Sequence, residues 1–153
     1  MVAIVSAFVL VTTQGIQPQF LAQWGRSCLM TWPVAFPTVT IVATDPTATE
    51  AGTTPGTFTF TRTGPTTAAL NVFYTIGGAA TNGVDYPGIP GVVTILPGDA
   101  SVTLTITPID DAAVEGDEGV LLTLTPDAAY TVGAPSTATV TITDDDFTPT
   151  VTI

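Results

Sequence analysis

The sequence predicts an all-β protein, a seven-stranded antiparallel β-sandwich, on three observations. Apolar and threonine residues alternate with period two in 38–44, 56–63, 69–76, 91–96, 101–107, 119–125 and 136–143, as strands with one buried face do. Turn-forming clusters lie between them: Thr53-Thr54-Pro55-Gly56, Asn82-Gly83, Pro97-Gly98-Asp99 and Gly133-Ala134-Pro135. No stretch carries helical periodicity. Short strands with regular turn signals are the mark of a Greek-key, immunoglobulin-like sandwich.

The chain divides into 1–36, 37–146 and 147–153. Residues 1–36 contain no acid and open with an apolar run, Val2-Ala3-Ile4-Val5-Ser6-Ala7-Phe8-Val9-Leu10-Val11. The run is too short for a bilayer-spanning helix, which needs about 20 apolar residues. It suits a sticky β-strand, a signal-peptide core or a short buried helix, though no basic residue precedes it and no clear A-x-A site follows. Trp24, Trp32 and Phe36 are expected to pack, and Cys28, standing alone, forms no intrachain disulfide.

Within 37–146 the alternation is plainest in Thr57-Phe58-Thr59-Phe60-Thr61 and in Thr103-Leu104-Thr105-Ile106-Thr107. β-Branched threonine favours the exposed face of a sheet. The last segment repeats the first strand: Pro37-Thr38-Val39-Thr40-Ile41 recurs as Pro149-Thr150-Val151-Thr152-Ile153. One domain length separates the copies, as in a tandem array where the next unit begins.

Charge removes several functions. The 153 residues hold 13 acids, two arginines (Arg26 and Arg62), no lysine and no histidine, for a net charge of −11. A histidine base, a Ser-His-Asp or Cys-His pair and a Schiff-base lysine are therefore excluded. Binding of nucleic acid needs a basic face, which two arginines do not make. Paired carboxylates could suggest a glycosidase, but few aromatic residues lie near them to hold a sugar. The expectation is a protein that is not an enzyme.

Each strand carries the chain to the opposite end of a sandwich. The segments after the first, third, fifth and seventh strands therefore share one end, and they hold all the acids except Asp99 and Asp127. Converging carboxylates repel unless a cation neutralises them. With no Cys or His among them, they select a hard cation, and flexible multidentate loops favour Ca²⁺ over Mg²⁺.

The same residues resemble a Calx-beta domain, the Ca²⁺-binding sandwich of sodium–calcium exchanger regulatory regions and many bacterial surface proteins. The matching pieces are Ala48-Thr49-Glu50-Ala51-Gly52, Gly78-Ala79-Ala80-Thr81-Asn82-Gly83-Val84-Asp85-Tyr86 and Leu96-Pro97-Gly98-Asp99. They continue with Ile109-Asp110-Asp111, Glu115-Gly116-Asp117-Glu118 and Val140-Thr141-Ile142-Thr143-Asp144-Asp145-Asp146. The resemblance implies Ca²⁺ ligands at Glu50, Asp85, Asp110, Asp111, the Ala113 carbonyl, Glu115, Glu118, Asp144, Asp145 and Asp146. Ala112 and Gly116 stand where members of the family often carry further acids.

The expected function is an extracellular, cell-surface structural subunit that assembles head-to-tail with itself by strand exchange, stiffened by Ca²⁺. Val2, Ile4, Phe8, Leu10, Val151 and Ile153 are its expected subunit contacts, with other surface proteins or glycans as further partners. The alternative is a single Ca²⁺-binding module of a larger adhesin or regulatory protein.

Overall fold

The computed structural model describes residues 36–147. The apolar run holding Val2, Ile4, Phe8 and Leu10 lies outside the described residues, as do Val151 and Ile153. Among the described residues nine strands form: β1 (Thr38–Asp45), β2 (Thr47–Thr49), β3 (Gly56–Arg62), β4 (Leu70–Gly78), β5 (Val92–Ile95), β6 (Ser101–Ile106), β7 (Glu118–Leu124), β8 (Thr131–Val132) and β9 (Thr137–Thr143). One sheet has the order β6-β3-β1-β8, the other β2-β9-β7-β4-β5. Among the described residues no helix is long and apolar enough to cross a membrane.

The alternation decides which side chains meet between the sheets. Val39 and Ile41 of β1, Phe58 and Phe60 of β3, Val72 of β4, Val120 and Leu122 of β7 and Val140 of β9 are fully buried. Their neighbours along each strand point outward, and many are threonines. Thr57 and Thr59 of β3 pair with Thr105 and Thr103 of β6, and the Thr44 hydroxyl meets the hydroxyls of Thr57 and Thr59 at 2.9 and 3.0 Å. The outer faces thus stay wet without lysine, because cross-strand hydroxyls take the place of cross-strand charges.

All seven expected strands form, with ends shifted by one or two residues. The sheets are mixed rather than purely antiparallel, because two further strands pair in parallel: β2 with β9, and β8 with β1. Both are too short to show an alternating pattern in sequence. β2 arises where a bulge between Ala43 and Asp45 and then Pro46, which has no backbone N–H, end the β1 ladder. The chain crosses to the other sheet and buries Ala48 there. β8 follows a corner pinned by Tyr130, whose hydroxyl donates to Thr125 O and accepts from Phe73 N. A tyrosine that ties a corner to backbone a few residues upstream also occurs in immunoglobulin-like sandwiches.

The pole opposite the acids is held by a buried arginine. Arg62, 4% exposed, donates from Nε to Asp99 O at 2.9 Å and from Nη1 to Ala68 O at 2.7 Å. Its Nη2 donates to Thr66 O at 3.2 Å and Leu96 O at 3.0 Å. Every partner is a carbonyl, so the planar guanidinium staples the β3–β4 and β5–β6 loops without a carboxylate. Arg62→Met would leave those four carbonyls without the charged donor that ties them together. It is expected to lower stability by about 3 kcal/mol or more, read as a lower urea midpoint, with Arg62→Lys recovering only part of the loss.

Candidate metal centre

Four strand ends build the acidic pole. β2 runs parallel to β9 as far as Thr49↔Thr143, so the next residue on each strand, Glu50 and Asp144, emerges at one place. Glu50 N donates to Thr143 O at 3.1 Å. The chain then turns back through Gly52 and Thr53, both at positive φ, and Thr53 N returns to Glu50 O at 2.8 Å. The turn carries a left-handed threonine, a strained conformation that the Thr49–Thr54 backbone pair holds closed. The result is a Glu50 whose main chain is held on both sides and which is, as a residue, almost wholly buried.

Asp85 enters from the β4–β5 loop. Its backbone N–H and that of Val84 donate to Thr81 O, and its side chain accepts from Thr81 N. Asp85 O accepts from Ile109 N at 2.8 Å, which ties this loop to the β6–β7 loop. The latter runs through Asp110, Asp111, Ala113 and Glu115, all exposed, to Glu118 at the start of β7. Asp111 Oδ1 caps its own turn by accepting from Ala113 N at 2.7 Å.

Asp144 joins β9 to that loop. Its Oδ2 accepts from Glu115 N at 2.8 Å and Gly116 N at 2.7 Å, and its Oδ1 from Asp146 N at 2.8 Å. Gly116 sits at φ +78°, a conformation open to glycine, and acts on Asp144 as a backbone donor. Neither Gly116 nor the Glu115 N–H was among the expected site groups. The Gly inside an acidic run was the one signal in sequence, since it marks a turn that exposes N–H groups.

Two carboxylate groups result. Glu50, Asp144 and Asp146 each offer an oxygen, all within 4.8 Å of one another, and so do Asp85, Glu115 and Glu118. Six of the expected ligands are thereby gathered. Asp110, Asp111 and Asp145 lie on the same loops but outside both carboxylate groups, and the Ala113 carbonyl belongs to the β6–β7 loop that carries Glu115.

The electrostatics show what this proximity costs. Burial, with the charges of Asp144, Asp111, Glu115 and Asp145, pushes the Glu50 carboxyl up to about 6 from its ordinary 4.5. Burial raises Glu118 too, reinforced by a hydrogen bond and a charge from Asp85. Glu115 and Asp146 are raised first by desolvation and then by neighbouring carboxylates. Asp144 goes the other way, because the N–H groups of Gly116, Asp146 and Glu115 stabilise its charge. Asp146 Oδ2 is buried without any hydrogen-bond partner. Arg62, the cation among the described residues, is engaged by carbonyls.

All-oxygen donors, an orphaned buried carboxylate oxygen and mutual repulsion fit a hard divalent cation, with Ca²⁺ suited to ligands from several loops. Glu50, Asp144 and Asp146 would hold one ion, and Asp85, Glu115 and Glu118 another.

A family model described as the Calx-beta domain matches residues 36–146. A second, a domain of unknown function termed DUF2798, matches residues 1–50. The apo-form Calx CBD1 domain is similar at 28% identity and a TM-score of 0.58, over 72% of this chain and 99% of that one. The calcium binding domain CBD12 of CALX1.1 is similar at 28% identity and 0.56, covering 69% of this chain and 44% of its own length. CBD12 from CALX1.2 gives 26% identity and 0.57, with 71% and 46% covered. The chain thus spans nearly all of the first and less than half of the other two. No curated protein matches the sequence.

The raised carboxyls set the pH behaviour of the metal-free protein. A Glu50 that holds its proton more tightly when folded contributes stability below pH 4.5, and that contribution is lost as pH rises through about 6. Asp144 acts with the opposite sign, but only below its ordinary 3.8. Thermal melts in chelator are therefore expected to shift upward on acidification from neutral pH toward 4.5. Glu50→Gln is expected to flatten that dependence and to raise the neutral-pH melting temperature.

Proposed function

Because the match over residues 36–146 makes this chain a member of the Calx-beta domain family, we propose that it is a Ca²⁺-binding β-sandwich module. The observation that carries this reading is the pair of three-carboxylate groups, each assembled from two different chain segments. Bound Ca²⁺ would supply the positive charge that the pole lacks. The work of the chain is to bring Glu50 beside Asp144 and Asp85 beside Glu115, so that the loops are joined when the carboxylates share an ion. Such a site stiffens the module and fixes the angle at which the chain leaves β9.

The finer reading is an extracellular, cell-surface subunit that assembles head-to-tail with itself by strand exchange. It is supported by the repeat of the β1 sequence. Val39 and Ile41 fill the core from β1, and Val151 and Ile153 stand at the same places in the copy. The copy therefore has the side chains that the β1 slot of a neighbouring sandwich requires. Weak sites, with dissociation constants of about 10⁻⁴–10⁻³ M, are filled by Ca²⁺ outside cells.

Calorimetric titration with Ca²⁺ is expected to show binding that weakens about tenfold or more in Glu50→Gln and Asp85→Asn. Ca²⁺ at a hundred times its dissociation constant should stabilise the fold by about 2.7 kcal/mol, and no heat and no shift in melting temperature would overturn the module reading. For assembly, negative-stain imaging in millimolar Ca²⁺ should show filaments that loosen in EGTA and are lost in Val151→Asp. Single particles throughout would overturn the polymer while leaving the Ca²⁺ site standing.

A further inference from the structure

The β4–β5 loop carries Asn82-Gly83, three residues before Asp85. In this dipeptide the backbone nitrogen after the asparagine can reach the side-chain carbonyl with no Cβ in its way. Asn82 is exposed to water, and no heavy atom outside the immediate chain lies within 4 Å of where a Cβ on Gly83 would stand. Yet both reacting groups are tied down. Asn82 Nδ2 donates to Ile89 O at 3.2 Å, and Asn82 Oδ1 accepts from Ile89 N at 2.9 Å. The would-be nucleophile, Gly83 N, donates to Tyr86 O at 3.0 Å.

We propose that Asn82–Gly83 is a latent self-modification site, a deamidation centre held off by the folded loop. Once the loop opens, Gly83 N gives its proton to hydroxide and attacks Asn82 Cγ. The N–Cγ bond forms, the Cγ–Nδ2 bond breaks, and Nδ2 takes a proton from water and leaves as ammonia. Water then opens the five-membered imide at either carbonyl, giving aspartate or isoaspartate. Water is the only co-reactant, and no electrons are transferred.

The product does not fit the clamp that delayed it. Aspartate at position 82 still accepts from Ile89 N, but it sets a carboxylate oxygen against Ile89 O where a donor stood. Isoaspartate also lengthens the main chain by one carbon beside Asp85. Either product adds a negative charge to the acidic pole. The proposal rests on hydrogen bonding within the loop and stands whether or not the carboxylates bind a metal.

Asn71 is an internal control. It precedes β-branched Val72 within β4, and its Oδ1 accepts from Thr94 Oγ1 at 2.8 Å. The full chain would be incubated in mildly alkaline chelator buffer, native and in urea, and peptides covering both asparagines followed by mass spectrometry. The expected result is conversion at Asn82 in urea, at least about tenfold slower in the native protein because the loop must first open, with little at Asn71. Equal rates at Asn82 in both conditions would overturn the protection, and an Asn82 no faster than Asn71 in urea would overturn the site. Asn82→Asp should melt several degrees below the unmodified protein, and an unchanged melting temperature would overturn the consequence drawn for the loop.

Discussion

Carboxylates held close to other carboxylates are the constraint on which this structure turns. A charge near an exposed loop is normally free to swing away from its neighbours. Here the parallel pairing of β2 with β9 delivers Glu50 and Asp144 to one place. Backbone bonds from Thr81, Glu115, Gly116 and Asp146 then hold Asp85 and Asp144 where they are. Loss of water around the carboxyls, and after it the charge of neighbouring carboxylates, raises the affinity for protons at Glu50, Glu118, Glu115 and Asp146. A site that holds protons too tightly in the absence of metal also gains most from a divalent cation, since both relieve the same field.

The two poles solve opposite problems with the same material. At one, anions are gathered and backbone N–H groups orient them. At the other, Arg62 is buried among carbonyls alone, and the loops that return β3 to β4 and β5 to β6 close around it. Placing the buried cation away from the acids leaves the carboxylates unneutralised by the protein itself. Had the guanidinium sat beside Glu50, the pole would be a closed ion pair with little reason to take a metal. The wall between the poles is ordinary alternating sandwich, with phenylalanine, valine and leucine inside and threonine outside.

The strands were legible because a half-buried strand writes its two faces into alternate residues, and Thr57–Thr61 does so without interruption. β2 and β8 were not legible, since three and two residues hold no period. They exist because Pro46 and the Tyr130 corner redirect the chain. The acidic pole was legible through strand parity: an even number of crossings returns the chain to the same end. The division into two groups was not, because it depends on the parallel β2–β9 register and on which loop residue turns inward. Asp110 and Asp111 read as strongly as Asp85 in sequence, yet both are exposed while Asp85 is buried and bound to Thr81.

The sequence alone determined the class of structure and the class of chemistry. Period-two patterning makes sheets, and thirteen acids without a lysine or histidine leave oxygen-ligated cations as the natural partners. Tertiary structure decided everything that depends on separation in space. Glu50 and Asp144 are 94 residues apart in the chain and become neighbours through one short parallel pairing. Gly116 becomes a donor through a positive φ, and Arg62 becomes a staple once two loops fold over it. Alternation is a local property that each strand carries by itself, whereas the spacing of charges follows from how strands from distant parts of the chain are laid side by side.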